Sequence, residues 1–255
     1  MKIVALLAGL ALLAACAQVP QSARDRGEET RARVHTELAA LYYARGQYAV
    51  ALQELEQALA AENAYAPAHN VLGLVWAALG EDAKADAGFQ RALALQRNYS
   101  EAHNNYGWFL CQRGRHAEAI AQFEAALANP LYATPERALT NAGLCSLDQG
   151  NLAAAQDYLE RALRRAPRLQ PALTAMAELR VRQGRMQAAR ELLRQAAAVA
   201  ELDARALWLG VRVERQLGDT LAEGAYATQL ERRFPDSEEA RWLRQGRYDR
   251  VGRPL

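Results

Sequence analysis

Apolar residues recur along this chain at three- and four-residue intervals, and the same cycle of small and large positions returns about every 34 residues. Glycines mark the cycle: Gly46, Gly80, Gly114, Gly150, Gly184 and Gly218 are spaced by 34, 34, 36, 34 and 34 residues. Aligning on them gives blocks 32–65, 66–99, 100–133, 136–169, 170–203 and about 204–236. Each block predicts two helices joined at its glycine, which suits the left-handed stop after a first helix. The eighth position is small (Ala39, Gly73, Gly107, Gly143, Ala177) and so is the twentieth (Ala51, Ala85, Ala119, Ala155, Ala189), so partner helices can approach while larger residues fill the seam. One pair cannot bury its apolar face alone, so such units are stable only as an array. The sixth block departs from the pattern, with Gly210 and Val211 where Leu-Gly is expected, and reads as degraded.

The second block carries His69-x2-Leu72-Gly73-x2-Trp76 and then Ala85-x3-Phe89; the third carries His103-x2-Tyr106-Gly107-x2-Leu110 and then Ala119-x3-Phe123. Both follow the tetratricopeptide pattern. The expected fold is therefore all-α, a tetratricopeptide-repeat superhelix of about six helix-turn-helix repeats spanning 29–245. Between Gly114 and Gly150 two extra residues fall in Asn129-Pro130-Leu131-Tyr132-Ala133-Thr134-Pro135-Glu136, whose prolines predict a longer, kinked link. Phe234-Pro235-Asp236-Ser237 predicts a stop and a fresh start capped by Asp236 or Ser237, with a capping helix over 237–245 and a loose tail over 246–255.

The 255-residue chain is 51% hydrophobic with a formal net charge of +2, which excludes a disordered protein. Its first residues have the anatomy of an export signal: Lys2, an apolar run from Ile3 to Ala15, then Cys16 behind Leu13-Ala14-Ala15. The run is short of the ~20 apolar residues a membrane span needs. The segment resembles the bacterial lipobox, which implies removal of 1–15, a covalent lipid on Cys16 and, with Ala17 rather than Asp following, sorting to the outer membrane; an ordinary signal peptide of a secreted protein is the alternative reading. Residues 16–28 are expected to form a flexible tether.

Catalytic and metal-binding motifs are absent from the sequence. His35, His69 and His103 are one repeat position seen three times, a packing choice rather than a ligand set, so no metal and no cofactor beyond the lipid are expected. Cys111 and Cys145 fall on the first helices of adjacent repeats, a placement open both to a disulfide in an oxidising compartment and to two small buried hydrophobes. In tetratricopeptide proteins the concave wall is built from a few first-helix positions, which here are Asn70, Leu74 and Ala78, then Asn104, Trp108 and Gln112, then Thr140, Leu144 and Leu147. These are the candidate partner-binding groove. Trp108 fits a core position or an exposed aromatic anchor equally well. Charge is uneven: residues 28–110 carry six basic and ten acidic side chains, residues 111–200 twelve and eight. Arg161, Arg164, Arg165, Arg168, Arg180, Arg182, Arg185, Arg190 and Arg194 could steer an acidic partner or lipid headgroups, or form an ordinary solvated face.

Several stretches exceed generic repeat grammar: Asn70-Val-Leu-Gly-Leu-Val-Trp76, Asn104-Asn-Tyr-Gly-Trp-Phe-Leu-Cys-Gln-Arg-Gly114, the link 129–136, Ala206-Leu-Trp-Leu-Gly-Val-Arg-Val-Glu214 and Arg233-Phe-Pro-Asp-Ser237. Together they resemble the type IV pilus biogenesis and stability lipoproteins of the PilF/PilW family. The resemblance implies a secretin pilotin: a non-enzymatic lipoprotein of the outer membrane, facing the periplasm, that binds secretin subunits and supports their localisation and multimerisation. Its expected partners are secretin subunits and, through the anchor, outer-membrane lipid, with no nucleic acid and no small-molecule substrate. A repeat lipoprotein serving outer-membrane protein insertion, or an adaptor for a cell-wall enzyme, is the alternative.

Overall fold

A computed structural model of the protein describes residues 21–250. Residues 1–20, with Cys16 and the expected signal segment, and residues 251–255 lie outside them. The described residues form thirteen helices: α1 (Gln21–Ala44), α2 (Tyr48–Ala61), α3 (Ala66–Ala78), α4 (Asp82–Leu95), α5 (Ser100–Gln112), α6 (His116–Leu127), α7 (Pro135–Asp148), α8 (Leu152–Arg165), α9 (Gln170–Arg182), α10 (Met186–Val199), α11 (Ala204–Leu217), α12 (Thr220–Arg233) and α13 (Glu238–Arg244). Consecutive pairs from α1–α2 to α11–α12 are the six helical hairpins of the tetratricopeptide-repeat fold. They fall into two compact units divided between Arg97 and Asn98, the first holding α1–α4 and the second α5–α13.

Every hairpin turns in the same way. The glycine at each turn has a φ between 71° and 82°, and the residue after it closes the helix end by donating its N–H back to a carbonyl five residues earlier. Asn151 to Ser146 at 2.8 Å and Asp219 to Glu214 at 3.0 Å are examples. This is a Schellman closure, and it needs the left-handed residue that only glycine adopts without penalty. The capping helix ends identically, with Gly246 at φ 66° and Arg247 bonded to the Trp242 carbonyl at 2.9 Å. Helix α13 thus closes as the first helices of the hairpins do, and Ser237 caps it by accepting from the Ala240 N–H at 3.1 Å.

In four of the six hairpins one seam contact recurs at a spacing of sixteen residues. Gly73 faces Phe89, Gly107 faces Phe123, Gly143 faces Leu159 and Gly210 faces Tyr226, each so close that an added Cβ would fall within 2.6–2.8 Å of the facing ring or side chain. Gly210 corrects the reading of the sixth repeat. Its hairpin is intact, but the turn glycine comes one residue later relative to the seam, because α11 runs on to Leu217 and Gly218 itself caps it, whereas α3, α5, α7 and α9 each end two residues before their turn glycine. In the first unit Ala39, Ala51, Leu55, Ala58, Ala68, Val71 and Val75 make the core. In the second, separate clusters follow the hairpins, among them Leu147, Leu159, Met176 and Leu179, and beyond them Leu173, Leu207, Trp208 and Leu230.

Two expectations about the ends are revised. The tether expected over 16–28 is helical from Gln21, where lengthening an established helix adds a bond per residue with no new nucleus. The tail is not loose through residue 250. Tyr248 stacks on Trp208, Arg212 donates to the Tyr248 carbonyl at 3.1 Å, and Trp208 Nε1 donates to the Arg250 carbonyl at 3.0 Å.

Candidate partner-binding site

The candidate residues divide between the two units. In the first, α3 buries Asn70 while leaving Leu74 partly accessible and Ala78 exposed. In the second, α5 and α7 bury Asn104, Thr140 and Leu147, leave Trp108 and Leu144 partly accessible, and expose Gln112. Asn70, Asn104, Thr140 and Leu147, all 1–5% exposed, are thus corrected from surface contacts to framework. The reason is local bonding and packing. Asn104 Oδ1 accepts from Asn141 Nδ2 at 3.0 Å, linking α5 to α7, and the Thr140 hydroxyl donates to the Glu136 carbonyl one turn back at 2.7 Å. Leu147 belongs to the core under α8 and α9.

What stays accessible in the second unit is an apolar pair at equivalent positions of neighbouring first helices, Trp108 on α5 and Leu144 on α7. The helices carrying them are tied together. Cys111 and Cys145 are bonded, with Cα atoms 5.8 Å apart, inside the ~4.4–6.8 Å window for a disulfide. The bond is buried and lies less than one helical turn beyond Trp108 and directly after Leu144. With the Asn104–Asn141 bond it clamps α5 and α7 on both sides of Trp108, so this face is held in one geometry before any partner arrives, which reduces the ordering cost of binding.

Among the described residues, Cys111, Cys145 and His116 form the group whose ligand-type atoms converge within 4.8 Å. Each sulfur is committed to the other, and a metal would need them as thiolates. His116 Nε2 meets Asp148 Oδ2 at 2.8 Å, a further tie between the second helix of the third repeat and the first helix of the fourth. The other histidines have hydrogen-bond partners, His69 Nε2 meeting the Asn63 carbonyl at 2.9 Å. His35 Nδ1 meets Glu54 at 2.7 Å and His103 Nδ1 meets Gln122 at 2.7 Å, the same pair of repeat positions nineteen residues apart.

Sequence reading missed two buried carboxylates. Glu178 is 4% exposed and is held by Arg182 at 2.6 Å and by Arg205. Glu214 is 2% exposed and is held by Arg190 Nε at 3.0 Å. Arg182 also donates to the Leu147 carbonyl. Burial lowers the pKa of the neighbouring Arg212 guanidinium, against the pull of Glu178. Glu178 occupies the repeat position of Trp108 and Leu144, so this face changes from apolar to internally neutralised charge along the second unit. Two of the nine arginines expected to steer a partner, Arg182 and Arg190, are therefore spent inside the fold, while Arg161 and Arg194 pair with Asp157 and Glu191 on their own helices. The signal was the placement of Glu178 and Glu214 on otherwise apolar first-helix faces.

Family models of the tetratricopeptide repeat match residues 89–121, 112–169 and 146–209. The type IV pilus assembly protein PilF of Pseudomonas aeruginosa is 34% identical over 110 residues, and that alignment spans 43% of each chain, under half the length of this curated relative. The crystal structure of PilW, described as a widely conserved type IV pilus biogenesis factor, superposes with a TM-score of 0.73 at 34% identity, covering 83% of this chain and 97% of PilW. That of Pseudomonas aeruginosa PilF superposes with a TM-score of 0.73 at 29% identity, covering 86% of this chain and 99% of its own. The chain belongs to the PilF/PilW family of type IV pilus tetratricopeptide-repeat proteins.

Proposed function

We propose that the chain is a non-enzymatic outer-membrane lipoprotein, anchored through Cys16 and facing the periplasm, that binds secretin subunits and supports their localisation and multimerisation during pilus assembly. The observation that carries this reading is the partly accessible Trp108–Leu144 pair on helices fixed by the Cys111–Cys145 bond. An aromatic and an aliphatic anchor on a preorganised face, with Gln112 exposed beside them to donate and accept, is the profile of a polypeptide-binding surface. The lipobox-like segment ending at Cys16 supports the anchoring. Acyl chains there would confine the protein to a membrane surface and raise the effective concentration of whatever it holds.

Fractionation tests the anchor. Cys16→Ser is expected to move the protein from the membrane to the soluble periplasmic fraction and to reduce heat-resistant secretin multimers on a gel. Undiminished multimers with a soluble Cys16→Ser protein would contradict the role of the anchor in secretin assembly.

A further inference from the structure

The link between α6 and α7 runs over 128–134, seven residues where every other connection between hairpins has four. A cavity of about 450 Å³ lies between this link and the end of α8. Pro130, Tyr132 and Pro135 line it from the link side, with Tyr132 largely buried, and Arg161, Arg164 and Arg165 line it from α8. No carboxylate is among the lining residues.

The link is held firmly. Asn129 Nδ2 donates to Ser100 Oγ at 3.0 Å, Asn129 Oδ1 accepts from the Leu131 N–H at 3.0 Å, and Tyr132 is buried against Ala126 and Ala138. The guanidinium wall is only partly neutralised. Arg161 has Asp157 at 3.1 Å, Arg164 has Glu160 only at 4.0 Å, and Arg165 has no ion partner among the described residues. Arginines in the last turn of a helix complement its carbonyl end, but that role needs no cavity and no rings lining it. Here several guanidiniums share a ligand-sized space.

We propose that this cavity is a binding site for an acidic polypeptide segment, the arginines taking a carboxylate and the proline–tyrosine wall taking an adjacent apolar side chain. The planar guanidinium fork matches a carboxylate through two parallel hydrogen bonds. A polypeptide suits the lining better than a bare phosphate, which would engage the arginines and leave the rings unused. Leu131, 88% exposed at the tip of the link, extends the apolar wall outward. The site is separate from the Trp108–Leu144 face, and it does not depend on the identity of any partner bound there.

The test is fluorescence anisotropy with the full chain and a fluorescein-labelled Glu-Leu-Glu-Glu-Leu peptide, with inorganic phosphate and with phosphatidylglycerol vesicles as separate probes. The expected result is saturable peptide binding that weakens by roughly tenfold for each lost charge-assisted contact in Arg164→Gln and Arg165→Gln. Arg185→Gln and Arg194→Gln, which remove the same charge elsewhere, should leave it unchanged. Equal weakening by the two pairs of substitutions would reduce the effect to general electrostatics and overturn the site. Binding of phosphate or vesicles at these arginines without peptide binding would overturn the polypeptide assignment. Since Arg164 and Arg165 are exposed, unchanged melting temperatures should accompany the loss, and a matching melting loss in both variants would assign them to stability instead.

Discussion

The Tyr248 ring stacks on Trp208 with centroids 5.8 Å apart and planes 17° from parallel, closing the last hairpin with a residue beyond the capping helix. Arg215 lies over the tyrosine as well, its guanidinium carbon 3.9 Å from the ring centre. Trp242 of α13 packs tilted against the same indole at 6.1 Å. An aromatic layer therefore covers the last described hairpin.

Tyr248→Ala should cost about 2 kcal/mol, from lost apolar burial and ring stacking. Chemical denaturation gives the size of the loss. A red shift of tryptophan emission in the native state would identify Trp208 as the newly exposed group. An unchanged midpoint would mean that residues 246–250 lie on α11 without holding it.

Gly210→Ala tests the register of the sixth hairpin. In an open helix, alanine would gain roughly 0.8–1.0 kcal/mol over glycine. Here its Cβ would meet the Tyr226 ring at 2.7 Å, and overpacking costs about 1–3 kcal/mol. The expected outcome is net destabilisation in a urea titration, whereas Gly224→Ala, with no atom within 4 Å of its Cβ, should be neutral or stabilising.

The hairpins were legible in the sequence because two local rules coincide at each repeat, a left-handed turn residue and a small residue facing a large one sixteen positions on. At the sixth repeat the two rules slip by one residue. Alignment on Gly218 then hid the seam at Gly210, although both residues do their usual work. The candidate face was less legible. A repeat position says which way a side chain points from its helix, not how closely the next helix covers it, so Asn104 and Thr140 were read as surface when cross-helix and backward bonds bury them. Glu214 escaped notice because its partner Arg190 is 24 residues away, and Glu178 because its pair with Arg182 on the same helix reads as an ordinary surface pair until Arg205, 27 residues on, closes over it. The tail escaped because Tyr248 and Arg250 carry no periodic signal of their own.

The disulfide closes a loop of sequence separation 34, for which chain entropy predicts about 3–4 kcal/mol of stabilisation. The Cys111→Ser/Cys145→Ser protein should unfold at correspondingly lower denaturant. Adding reductant should lower the wild-type midpoint toward that of the double variant and leave the variant itself unmoved. A wild type indifferent to reductant would show that the sulfurs are not bonded in solution.

Alkaline pH provides an independent probe of the second unit. Tyr158 donates to Glu124 at 2.6 Å, and burial first, then that bond and the glutamate charge, push its pKa from 10.0 to about 12. The folded form thus favours the neutral phenol. Its contribution is complete below the unfolded value near 10 and is lost as pH rises toward 12, because the unfolded chain ionises first. The difference in unfolding free energy between wild type and Tyr158→Phe should accordingly be flat up to about pH 10 and shift against the wild type above it. A constant difference across that range would contradict the buried phenol.

A photo-crosslinking amino acid placed at Trp108 or Leu144 in intact, piliated cells addresses what the clamped α5–α7 face holds. Capture of a secretin subunit from both positions, absent when the probe replaces buried Leu147, is the expected result. Efficient labelling of a different envelope protein from both positions, with the secretin untouched, would contradict secretin binding by this face.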